Sequence, residues 1–199
     1  MKKTMTLLLL SLLLAGVQTA GAQEQDVVTS VRQRYAAVKE RIGLMMGEDA
    51  IPQEYYQVRV LQNLPGTGPH EEDVRMYYGY RDDHDIWPSR LLEFVSTRYN
   101  YAARVFYEEY LYAPNGSISF IYATLPDFML DKELEFRFYF EDGLVQMVVK
   151  SRKAGDSGAF TPVYSGDTLP DEYREYYDSY MESSRKFHQL FNSVDMLAH

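Results

Sequence analysis

"LEFRFYFEDGLVQMVV", residues 134–149, carries the pattern that decides the fold. Leu134, Phe136, Phe138 and Phe140 recur at every second position, and so do Val145, Met147 and Val149. A period of two marks a strand, because successive side chains point to opposite faces. Asp142-Gly143 separates the two runs, and Asp-Gly tolerates the positive φ of a tight hairpin turn. The two runs therefore predict an antiparallel hairpin.

The same grammar extends toward the N-terminus. Ala103, Val105, Tyr107 and Leu111 share one face of a strand, and Ile118, Phe120 and Tyr122 share one face of the next. Pro114-Asn115-Gly116 between them supplies a fixed φ and a left-handed position. Further upstream, Tyr56, Val58 and Val60 form one alternating run, Val74, Met76, Tyr78 and Tyr80 a second, and Leu92 and Phe94 open a third. Seven strands follow from this pattern, the last four a meander. The polar, glycine-containing stretch 153–166 is expected to be a loop.

Helical periodicity brackets the strands. Val31, Tyr35, Val38, Ile42 and Met45 recur at spacings of three and four, which predicts a helix over 26–46 stopped by Gly47 and Pro52. Tyr173, Tyr177, Tyr180, Ser184, Phe187, Phe191 and Val194 make a second, longer stripe. Thr168 and Asp171 suggest a capping box at its start, with Pro170 in the first turn. The expected fold class is α+β: an N-terminal helix, an antiparallel sheet of about seven strands, and a long C-terminal helix packed on that sheet.

The N-terminus reads as an export signal. Lys2 and Lys3 precede the apolar run 5–17, and Ala20-Gly21-Ala22 places small residues at a cleavage site. As a helix the run spans about 20 Å, short of a hydrocarbon core of roughly 30 Å. Residues 1–22 are thus expected to be removed, leaving 23–199 as one domain in the periplasm or secreted, without stable membrane insertion. Cysteine is absent, which excludes disulfides, lipidated cysteine and thiolate metal sites. The net charge of −9 grows more negative once the two lysines leave, and it disfavours nucleic acid as a partner. Eighteen tyrosines suit half-buried strands, and they also suit binding surfaces.

No catalytic set emerges. "PGTGPH", residues 65–70, lacks the lysine and following helix of a phosphate loop. His70-Glu71-Glu72-Asp73 and Asp82-Asp83-His84-Asp85 look like a His-carboxylate set, but a strand of roughly 23 Å separates them. Gly155-Asp156-Ser157-Gly158 resembles the nucleophile motif of chymotrypsin-like proteases over four residues only, and the partner histidine context is missing. Glu108 and Glu109 point to opposite faces of their strand and cannot form an acid–base couple. No metal or cofactor is expected.

"NLPGTGPHEEDVRMYYG" (residues 63–79), "VFYEEYLY" (105–112) and "RFYFEDGLV" (137–145) carry a resemblance to an uncharacterised family of exported proteins of Gram-negative bacteria. The resemblance implies export and one domain; that family lends no activity and no site residue. The expected function is a non-catalytic exported domain that binds a protein or small ligand at the cell envelope, through His70, Asp73, Tyr77, Tyr99 and Tyr101. Of the neighbours Tyr77 and Tyr78, one is expected to be exposed. The alternative is a carrier of an apolar ligand held between the curved sheet and the C-terminal helix.

Overall fold

A computed structural model describes residues 2–47, 51–81, 89–127 and 130–198, with side chains from residue 24 onward. Helix α1 (Lys2–Met45) leads into eight strands: β1 (Tyr55–Leu64), β2 (Gly68–Tyr80), β3 (Arg90–Tyr101), β4 (Arg104–Tyr112), β5 (Ile118–Asp127), β6 (Lys132–Phe140), β7 (Leu144–Lys153) and β8 (Thr161–Gly166). A 3₁₀ turn (Asp171–Tyr173) then opens helix α2 (Arg174–Leu197). All strands lie in one antiparallel sheet in chain order, an open meander from β1 to β8. The α+β class and a helix at each end are as the sequence predicts; α1 is longer than the expected 26–46, running unbroken from Lys2, and the strand count is one higher.

The additional strand is β8, expected to be loop. Its Pro162 and the exposure of Thr161, Pro162 and Val163 hide it from pattern analysis, as suits a short edge strand. Two further boundaries move. The turn after β1 is confined to 65–67, so the His70–Asp73 segment belongs to β2 and not to a loop. The capping box is not formed: no side chain caps the 3₁₀ turn or α2, and Thr168 instead meets the Tyr164 hydroxyl through Oγ1 (2.9 Å) and its carbonyl (2.6 Å).

The helices cover opposite faces of the sheet. On one face α2 crosses the strands, with Tyr177 against Phe138 and Phe140, Phe187 against Tyr110, and Phe191 against Tyr56 and Tyr78. On the other face α1 crosses β6 to β2 and buries Val28, Val31, Val38 and Met45 against Tyr77, Phe94, Leu111, Phe120 and Tyr139. Both Tyr77 and Tyr78 are therefore buried, at 3% and 8% exposure, correcting the expectation that one faces water. Alternation separates them, but each face has its own helix.

Bulges explain where strict alternation fails. Register shifts occur opposite Tyr77/Tyr78, Leu111/Tyr112 and Tyr139/Phe140, where β3, β5 and β7 each carry one extra residue. These extra residues are Glu93, Ser119 and Val145. Leu92 consequently packs with the α2 cluster while Phe94 packs with α1, and Ile118 and Phe120 divide in the same way. Val145 leaves Met147 and Val149 and joins the α1 side. A bulge bends its strand and raises local twist, and three in line bend one end of the sheet.

Phe136 is a hub of the α2 face, with ring contacts to Phe138, Tyr173, Tyr176 and Tyr180 at 5.1–6.1 Å. Phe136→Ala removes this fully buried ring and leaves a cavity; it is expected to cost about 3–5 kcal/mol, read as a lower urea midpoint at unchanged m-value.

Candidate functional site

Helix α1 fully buries one row of the sheet face on which it lies, and its edge touches the next at Glu109, Tyr122 and Val148. The covered row is Tyr77, Phe94, Leu111, Phe120 and Tyr139, all buried. The next row along the strands is polar: Arg75, Ser96, Glu109, Tyr122 and Arg137 are register partners in succession. The row beyond it holds Asp73, Arg98, Tyr107, Thr124, Glu135 and Lys150. The change from apolar to polar follows the edge of α1.

A cleft of about 430 Å³ opens along that edge. Arg32, Tyr35 and Lys39 line it from α1, and Tyr107, Glu109, Tyr122, Arg137 and Tyr139 from the sheet. Its size lies within the range of small-molecule sites. Glu109 forms its floor at 2% exposure. Its carboxylate accepts hydrogen bonds from Lys39 Nζ (2.6 Å), the Tyr107 hydroxyl (2.5 Å) and the Tyr35 hydroxyl. Burying a carboxylate is expensive unless donors surround it, and here one ammonium and two phenols do so. Burial first, and the neighbouring carboxylate second, push the Tyr35 and Tyr107 hydroxyls far above the ordinary phenol range. The same causes, with Glu135 as the principal charge, push Tyr122 up to about 12. All three phenols stay protonated at neutral pH and serve as donors.

Cations frame the aromatic rings. The Arg32 guanidinium lies 5.3 Å from the Tyr139 ring centroid and donates to its hydroxyl (3.2 Å). Arg137 sits 5.5 Å from the Tyr122 ring and pairs with Glu135 (2.9 Å). Tyr107 and Tyr122 meet edge to face at 6.4 Å. Stacked guanidinium–phenol pairs of this kind hold both groups in place and leave donors directed outward.

Glu108 is the counterpart on the α2 face, at 6% exposure. It accepts from the Tyr99 hydroxyl (2.8 Å) and from Tyr110. Burial is the main influence on Glu108 and raises its pKa, against the lowering effect of the two tyrosine hydrogen bonds. The adjacent glutamates thus face opposite sides of β4, as alternation predicts, each within its own set of phenols.

The residues singled out from sequence do not form one constellation. His70 and Glu72 point to the α2 side while Glu71 and Asp73 point to the α1 side, since all four lie in β2. The His70 Nδ1–H donates to the Asn100 carbonyl (2.6 Å). Asp73 accepts from Gln57 (2.5 Å) and pairs with Arg75 (3.2 Å). Tyr99 stacks on Phe106 at 4.9 Å, and Tyr101 is exposed beside the turn into β4. Asp73 and Tyr99 do share the lining of another cleft, of about 420 Å³, at the β2–β3 side of the sheet. Tyr77 is core. Asp82–Asp85 lies outside the described residues, and among the described residues no group of acids and histidines is arranged to hold a metal. Ser157 sits in an exposed turn shaped by Gly158 N–H donating to Asp156 Oδ1 (3.0 Å).

The sequence pattern places Tyr35, Tyr107 and Tyr122 on packing faces and Glu109 only in an excluded acid–base pair; it assigns none of them, nor Lys39 or Arg137, to a site. The available signal was two acids inside the otherwise aromatic "FYEEYLY", residues 106–112, where a buried strand should carry none. No family model, curated protein or solved structure matches the chain.

The raised pKa of Glu108 fixes a sign. A carboxyl whose pKa is raised on folding contributes stability that is full below the ordinary value of 4.5 and is lost as pH climbs through the raised one. Glu108→Gln cannot ionise. Its urea midpoint is expected to fall less than that of the wild type between acidic and neutral pH, and parallel midpoint curves would remove this account.

Proposed function

We propose that this chain is an exported, non-catalytic domain that binds a small polar ligand at the cell envelope, in the cleft between α1 and the sheet. One observation carries the proposal. The cleft combines four tyrosines and three cationic side chains around a buried, fully bonded carboxylate, at a size suited to a ligand. Tyrosine rings offer rigid amphipathic contact area at low entropic cost, and guanidinium groups give directional donors. The buried ion pair holds the donors in place before a ligand arrives, which limits the ordering cost of binding.

The α2 side gives the apolar-carrier alternative no comparable support. The ring contacts there run from Tyr56 and Phe191 across to Phe136 and Tyr176, and none of the five clefts described among these residues is lined by α2. The placement at the envelope rests on the N-terminal export signal and on the resemblance to exported proteins. The described packing contacts of α1 begin at Val27 and Val28, so cleavage after Ala22 leaves each of them in the mature chain. No helix among the described residues is long and apolar enough to cross a membrane.

Two measurements test this. Native mass spectrometry of protein purified from its own envelope should show a retained small molecule, with the retained fraction much reduced in Tyr122→Phe and in Arg137→Lys, each variant shown to be folded by circular dichroism. Retention that ignores both substitutions would place the ligand elsewhere. The intact mass of the exported protein should correspond to a chain that begins at Gln23; an uncleaved chain in the membrane fraction contradicts export by a removable signal.

A further inference from the structure

The cleft is the middle of a longer track. A second cleft of about 390 Å³, toward β2, shares Lys39 and Tyr107 with it, and a third of about 490 Å³, toward β7, shares Tyr122. Linked through these shared lining residues, the three reach across the strands from Asp73 and Arg75 on β2 to Arg152 on β7. Five inter-strand spacings of ~4.8 Å give a length of about 24 Å. Such a length exceeds a single small molecule and suits a short linear chain.

The charge of the track opposes that of the protein. Among the described residues that line the three clefts, seven are arginine or lysine and three are aspartate or glutamate, on a chain of net charge −9; the cleft that adjoins them at Asp73 and Arg98 adds Arg59, Glu71 and Glu72 and closes the β2 end with acids. Four of the cations have carboxylate partners: Lys39 with Glu109, Arg75 with Asp73, Arg137 with Glu135 and Arg152 with Glu133. Arg32 and Arg98 have no carboxylate partner among the described residues, and Arg98 is exposed. Between these cations lie the half-buried rings of Tyr107 and Tyr122, and Phe160 carries Arg152 at 4.4 Å from its ring. Positive groups and aromatic faces thus interleave across several register rows of this sheet face.

Resting on the assignment of the ligand cleft above, we infer that the track binds a short acidic oligosaccharide, whose carboxylates meet Arg32 and Arg98 and whose sugar faces lie on the tyrosines. The position of the track favours a glycan over a peptide. An extended peptide gains its affinity by adding a strand to an open sheet edge, where backbone donors and acceptors are unpaired. The track crosses the interior strands β3 to β6, whose backbones are paired on both sides. A ligand there must be read by side chains alone, through hydroxyls, charge and stacking. The remaining acidic surface repels a long phosphate polymer beyond the track.

The test uses the mature protein with four probes of equal length: hexagalacturonate, its fully methyl-esterified form, a hexaglutamate peptide and a hexathymidylate oligonucleotide. Isothermal titration should show hexagalacturonate binding most tightly, with affinity falling as salt is raised. Arg98→Gln and Arg32→Gln should each weaken it about tenfold, while Arg185→Gln, an equal charge change on the exposed side of α2, should leave it unaltered. Equal binding of the methyl ester removes the role of the carboxylates. Equal or tighter binding of the peptide or oligonucleotide removes the glycan assignment. Absence of hexagalacturonate binding, with Tyr122-dependent retention of an envelope molecule intact, overturns the ligand class and spares the cleft; absence of both overturns the two together.

Discussion

The two-residue pleat of the sheet, with a helix pressed on each face, is the constraint from which the rest of the molecule follows. A sheet solvated on one side alternates apolar and polar residues along every strand. Here both faces need apolar cover where a helix crosses, so each strand switches pattern along its length. In β4 the run Tyr110-Leu111-Tyr112 is apolar on both sides because α2 and α1 both lie over it. Three residues earlier, Tyr107 still faces the α1 side but no longer lies under the helix, and the surface there is polar.

This arrangement makes the buried carboxylates intelligible. Glu109 sits where the covered row meets the open one, beneath the edge of α1. Its burial would be untenable alone; Lys39 and Tyr35 arrive from the helix and Tyr107 from its own strand. The same contacts that satisfy the carboxylate fix the register of α1 on the sheet, and they set the wall of the cleft. Farther along α1, Arg41 pairs with Glu93, the extra residue of the β3 bulge. A polar seam therefore runs beside the apolar seam of the helix.

Much of the architecture was legible from the sequence because it is locally encoded. The hairpins at Asn115-Gly116 and Asp142-Gly143 and both helical stripes need only neighbouring residues to be read. What escaped depends on the third dimension. The edge strand β8 has too few buried positions to show a period. The bulges displace Leu92 and Ile118 from the face that alternation assigns them, and no turn residue announces a bulge. Alternation on a one-sided sheet exposes one of Tyr77 and Tyr78; the helix that buries Tyr77 lies about thirty residues upstream and leaves no local sign at that position. Glu109 shows in the sequence only as half of an impossible acid–base pair, since its partners Tyr35 and Lys39 are far off along the chain. Asp73 and Tyr99 do line a cleft, but His70, Tyr77 and Tyr101 are parted from it by strand pleat and register.

The chain-ordered meander has a kinetic consequence. Each strand pairs with its sequence neighbours, so the sheet can zip hairpin by hairpin with short loop closures. Long-range closure is left to the helices. Tyr35 reaches Glu109 across 74 residues, and Tyr56 donates to Asp195 across 139, where Arg90 also pairs. Asp195 thus gathers the first strand, the third strand and the last helix at one point. Folding of this chain should be rapid for its β content until α2 docks, and that docking, latched at Asp195, is the step that converts a ladder of hairpins into one cooperative unit.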